Sequence, residues 1–94
     1  MSTISEQSTV ARNASVLAAE VGGELVLMSV SQWHYFGLNP VASDIWNRLS
    51  SPVRVDELCQ GLAGEYEADP EVIRQDVMEL LNKLASRELI EVRA

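Results

Sequence analysis

Residues 33–46 read WHYFGLNPVASDIW, and the order of these side chains decides the fold. Four ring-bearing residues in succession, Trp33, His34, Tyr35 and Phe36, suit a pleated, half-buried strand that Gly37 and Leu38 carry to its end. Asn39 then offers a side-chain oxygen to the free amides of a helix start. Pro40 suits the first helical position, where its missing N–H costs nothing. Val41, Ala42, Ile45, Trp46 and Leu49 recur at helical spacing. An aromatic strand therefore feeds directly into a capped amphipathic helix.

Upstream, SVLAAEV meets GELVLMSV across Gly22-Gly23. Two glycines between apolar runs predict a tight hairpin, because they accept the positive φ angles such a turn needs. A second turn is expected near residues 29–32, which makes the three strands an antiparallel meander. The aromatic strand enters last and so lies at an edge, with unpaired N–H and C=O groups that another chain can use. Residues 1–14, rich in Ser, Thr and Gln, read as a flexible arm ahead of a domain over 15–94.

Downstream, the first helix is expected over 40–49 and ends before Pro52. A second helix carries Val55, Leu58, Leu62 and Tyr66 on one stripe, with Asp56 and Glu57 favourable to its dipole. Arg54 stands where a capping hydroxyl is expected, and Gly61 and Gly64 weaken the helix further. The third helix is better specified. Asp69 caps it, Pro70 takes the first position, and Ile73, Val77, Leu80, Leu81 and Leu84 form one buried stripe. LIEV, residues 89–92, closes the chain as a short strand or extended tail. The expected fold class is α+β: a winged helix-turn-helix with an N-terminal three-stranded antiparallel sheet followed by three helices.

Composition excludes several functions. Ninety-four residues make one domain, and a folded part of about 80 is near the lower limit for a sufficient core. No apolar run approaches the roughly 18 residues of a membrane span, and the first residues lack the order of a signal peptide, so a cytoplasmic protein with no membrane partner is expected. Fourteen acidic against seven basic residues give a net charge of −7, the wrong sign for neutralising phosphates. The third helix, which would enter a DNA groove, carries Asp69, Glu71, Asp76 and Glu79 against Arg74 and Lys83. Nucleic acid is not an expected partner. Cys59 is the single cysteine and His34 the single histidine, so neither an internal disulfide nor a zinc site can be assembled. No nucleophile turn, phosphate loop or metal-spaced cluster occurs, and no catalytic residue, metal or cofactor is expected.

What remains is an edge strand beside an amphipathic helix. An extended peptide can pair with such an edge through main-chain hydrogen bonds while its alternate side chains enter pockets that set specificity. On the third helix, Val72, Asp76 and Lys83 fall on one flank of the buried stripe, with Leu80 between them and the core. Arg74, Met78 and Ala85 form the opposite flank, and the wheel alone does not choose between the two.

The series YFGLN, a small-residue helix start, Ile-Trp, VDELCQGLAGEY, DP, DVMELLNKL and LIEV resembles the PqqD-like family of precursor peptide recognition elements. The resemblance covers roughly residues 15–92, and a stand-alone chain of this size is most similar to the leader-binding proteins of lasso peptide pathways. It implies a non-catalytic protein that takes the leader of a ribosomally made precursor as an added strand, in the cleft between the third strand and the third helix. The matching positions are Trp33, His34, Tyr35 and Phe36 on the strand and one flank of the third helix, either Val72, Asp76, Leu80 and Lys83 or the competing Arg74, Met78 and Ala85. By strand alternation Phe36 and Leu38 are core, leaving Trp33, His34 and Tyr35 as the better contacts. The implied partners are the leader, a cysteine-protease leader peptidase and a cyclase; a carrier presenting a peptide to a radical enzyme in cofactor synthesis is the alternative. Family members have glycine where Trp33 and Glu88 stand, which leaves the second hairpin's register and the last helix's ending open.

Overall fold

The computed structural model describes residues 4–30 and 33–93. Six strands and three helices follow one another as β1 Thr9–Arg12, β2 Val16–Val21, β3 Glu24–Ser29, β4 His34–Leu38, α1 Pro40–Arg48, β5 Val53–Arg54, α2 Val55–Tyr66, α3 Pro70–Ser86 and β6 Ile90–Arg93. The strands form two three-stranded antiparallel sheets, ordered β2-β3-β4 and β5-β1-β6. The first is the expected meander, and with the three helices after it the chain is a winged helix-turn-helix of the α+β class.

Gly22 and Gly23 both take positive φ, 61° and 85°, as the two-residue hairpin turn requires. The second turn differs from a glycine-built one. Trp33 itself takes a φ of 59° and donates its backbone N–H to the Ser29 carbonyl at 2.7 Å, so it adopts the conformation a glycine would supply. Ser31 and Gln32, where that turn is expected, lie outside the described residues. His34 then faces Ser29 and the ladder runs in register to Leu38 opposite Leu25.

The arm expected over residues 1–14 is a correction. Thr9–Arg12 is a strand, paired with β6 from Arg93 to Ile90 and with β5 at Val53 and Arg54, and Val10 is fully buried. Its partners lie more than 40 residues away in sequence, so a local window over a polar stretch carries no sign of the burial. Residues 1–3 lie outside the described residues.

The same segment supplies the cap that α2 lacks. Arg54 makes no capping hydrogen bond, yet the amides of Val55 and Asp56 donate to the carbonyls of Ser8 and Glu6 at 2.9 and 3.0 Å. Two amides that a helix start leaves orphaned are thereby satisfied by main chain from the N-terminal segment. Arg12 adds a further tie. Its Nε and Nη2 donate to the Trp46 carbonyl at 3.2 and 2.8 Å, and its guanidinium lies 4.8 Å from the centre of the Trp46 ring.

The other helix ends follow the sequence. The Asn39 side chain accepts from the Ala42 amide at 2.8 Å and Asp69 from the Glu71 amide at 2.9 Å, each ahead of a proline. Glu88 takes a φ of 58° after α3, and the Leu89 amide donates to the Leu84 carbonyl at 2.9 Å. The helix closes as it would on glycine. One core joins both sheets to the helices through Val10, Leu27, Leu38, Trp46, Leu62, Val77, Leu81 and Leu84. Tyr66 departs from its expected stripe: it is exposed, and its hydroxyl donates to Asp44 Oδ2 at 2.7 Å. Val41 also leaves its stripe and is 46% exposed.

Candidate peptide-binding cleft

Among the described residues strand β4 pairs with β3 alone and ends its sheet. Which of its groups are free follows from the turn. Across a two-residue hairpin the flanking residues, Val21 and Glu24, form a hydrogen-bonded pair, and Val30 N–H donating to the Ser15 carbonyl keeps the same phase at the far end. Glu24, Val26 and Met28 therefore bond to β2, while Leu25, Leu27 and Ser29 bond to Leu38, Phe36 and His34. Tyr35 and Gly37 turn their N–H and C=O groups to the open edge.

Side chains alternate accordingly. His34, Phe36 and Leu38 share the inward face, where Leu38 is buried and Phe36 half-buried against the core. Tyr35 and Gly37 share the outer face, and Tyr35 and Trp33 are 70% and 72% exposed. Phe36 is held from outside as well: the Arg87 guanidinium at the end of α3 lies 5.4 Å from its ring centre. That contact brings the C-terminal end of α3 against the middle of β4.

Further back along α3, a groove of about 330 Å³ opens between α3 and the start of α1, directly after β4. Asp76, Glu79, Leu80 and Lys83 line one wall, and Asn39, Val41, Ala42 and Ile45 the other. This volume is at the low end of the roughly 300–1,000 Å³ usual for ligand pockets. The structure thus brings together three of the expected helix residues, Asp76, Leu80 and Lys83. Val72 is half-exposed one turn earlier and does not line the groove, nor do Trp33, His34, Tyr35 or Phe36.

The opposite flank of α3 is otherwise engaged. Arg74 pairs with Glu71 and lines a separate hollow with Cys59, Gln60 and Ala63 of α2, and Met78 and Ala85 pack partly buried against the core. Sequence reasoning missed Val41, Ile45 and Arg87 as neighbours of the cleft. Val41, an apolar residue in the first turn of α1 and one turn before Ile45 on the same face, is the available signal.

Each flank carries one acid–base pair. Lys83 Nζ lies 3.4 Å from Glu79 Oε1, so these two charges offset each other. The hydrogen bond from Arg74 holds the Glu71 carboxyl below the usual range. Burial pushes the Cys59 thiol up, which makes it a poor nucleophile at neutral pH. Among the described residues no group of three or more His, Cys, Asp or Glu could hold a metal ion, and no helix is long and apolar enough to cross a membrane.

Two solved structures are similar to the chain. TbiB1 in complex with the TbiA(beta) leader peptide is 32% identical, with a TM-score of 0.77 over 86% of this chain and 94% of that one. A lasso peptide synthetase B1 complexed with the leader peptide is 22% identical, with a TM-score of 0.71 over 87% and 96%, a likeness that speaks for the fold alone. No curated protein gives a significant match. The sequence profile of Coenzyme PQQ synthesis protein D (PqqD) matches residues 24–90, and the chain belongs to the PqqD family.

Proposed function

We propose that this protein binds the leader of a ribosomally made lasso peptide precursor as a fourth strand on β4, in the cleft between β4 and α3. The observation that carries the reading is the open edge of β4, with the free N–H and C=O groups of Tyr35 and Gly37, followed in the chain by α1, which forms one wall of the groove lined by Leu80 and Val41. Likeness to TbiB1, whose structure holds a leader peptide, supports the same ligand class.

Main-chain pairing supplies affinity and fixes register. Inward-facing leader side chains lie over the groove, where Leu80, Val41 and Ile45 offer apolar contact, and outward-facing ones join Tyr35 on the exposed face. The chain has no catalytic role of its own. It works in the cytoplasm as an accessory protein that holds the precursor near a separate leader peptidase and cyclase, raising the local concentration of the cleavage site. The family match also favours a second reading, in which the peptide is handed to a radical enzyme of cofactor synthesis.

Titration of fluorescently labelled TbiA(beta) leader, followed by anisotropy, tests the proposal. Gly37→Pro deletes one edge N–H without touching the pairing to β3, whereas Gly37→Ala adds a methyl into open space. Saturable binding that survives Gly37→Ala and is lost in folded Gly37→Pro is the expected result. Absence of binding by the folded wild type at tens of micromolar, with the quinone-cofactor precursor peptide bound instead, would favour the second reading.

A further inference from the structure

We propose that the groove between α1 and α3 selects a leader that carries a basic residue directed at Asp76 beside an aliphatic residue seated on Val41, Ile45 and Leu80. The inference rests on the reading of the cleft as a leader site and adds the chemistry of the leader that fits it.

Three charged side chains stand at the groove: Asp76, Glu79 and Lys83. Glu79 and Lys83, one helical turn apart, form an ion pair at 3.4 Å and neutralise each other. Asp76 is exposed and makes no hydrogen bond or ion pair with any described residue. The groove therefore keeps one uncompensated negative charge, placed one turn before Leu80 on the same flank of the helix. Its floor is apolar. Val41 is nearly half-exposed at the first turn of α1, and Leu80 is half-buried across from it.

A peptide that lays an aliphatic side chain on this floor brings a neighbouring side chain to the rim where Asp76 waits. A lysine or arginine there gains a partner, and its aliphatic stem covers apolar surface while its head stays wet. A glutamate at the same place meets Asp76 and Glu79 with only one lysine between them. Because Asp76 is exposed, the preference is modest and salt-sensitive, about three- to fivefold in Kd at low ionic strength.

The test uses the full-length protein and TbiA(beta) leader peptides in which each position in turn is lysine or glutamate, titrated by anisotropy against wild type and Asp76→Asn. The protein's net charge of −7 favours lysine everywhere, so only the difference between the two proteins counts. The expected result is one position at which lysine binds about three- to fivefold tighter than glutamate, a preference that Asp76→Asn abolishes and 1 M salt removes. Leader binding without any position whose preference depends on Asp76, or a glutamate preference lost in Lys83→Gln, overturns the inference and leaves the leader site standing. Failure of every peptide to bind folded wild type overturns both.

Discussion

The guanidinium of Arg87 lies over the ring of Phe36, 5.4 Å from its centre, and so fastens the end of α3 to the middle of β4. Because Phe36 faces inward and Arg87 is exposed, the contact closes one end of the cleft without belonging to the core. Arg87→Ala is expected to cost about 0.5–1 kcal/mol, the range of an exposed cation over an aromatic face, read as a shift in the urea midpoint with an unchanged slope. A loss of 3 kcal/mol would make Arg87 a core residue instead.

Glu88 holds a left-handed backbone that costs a side-chain-bearing residue about 1–2 kcal/mol relative to glycine. Comparing Glu88→Gly with Glu88→Ala isolates this term, since both lose the same side-chain contacts. The glycine variant is expected to be more stable than the alanine variant by about 1 kcal/mol, a Tm difference of about 4–8 °C for a domain of this size. Equal melting temperatures would show that the helix end relaxes at no cost.

The N-terminal segment is part of the fold, and its removal has a measurable price. Val10 is fully buried between β5 and β6. Val10→Ala is expected to destabilise the protein by about 2 kcal/mol through lost burial and the space left behind. Unfolding with no change in midpoint would return this segment to the role of a loose arm.

Much of this was legible in the sequence, and the exceptions share a cause. Asn39-Pro40, Asp69-Pro70 and Gly22-Gly23 each act within four residues, and each forms the cap or turn its chemistry predicts. The strand at Thr9–Arg12 and the capping of α2 by Ser8 and Glu6 depend on contacts across more than 40 residues, which no local pattern carries. Trp33 and Glu88 are a third kind of case. The chain keeps the backbone that glycine would take and accepts the strain, because the hairpin and the helix end are fixed by what surrounds them. For the groove, the wheel leaves both flanks of α3 open, and the hollow that Arg74 shares with α2 and the groove that Leu80 shares with α1 are tertiary features that no local pattern carries.

Tyr66 couples stability to pH. Its hydroxyl donates to Asp44, and that hydrogen bond, with some desolvation, raises its pKa above the usual tyrosine value. A folded-state pKa above the unfolded one means that the contribution is fully present below about pH 10 and is lost as pH rises through the raised value. Tyr66→Phe is therefore expected to be less stable than wild type at pH 7, with the gap narrowing in denaturation curves recorded at increasingly alkaline pH. A gap constant from pH 7 to pH 11 would show that the hydroxyl contributes nothing through Asp44.

Strand addition on β4 is tested most directly by amide hydrogen exchange, measured by NMR with and without saturating TbiA(beta) leader. In the free protein His34, Phe36 and Leu38, bonded to β3, should exchange slowly, while Tyr35 and Gly37 exchange fast at the open edge. Leader binding should slow Tyr35 and Gly37 selectively. Binding that leaves these two amides fast, or protects the β2 edge in their place, would contradict the account.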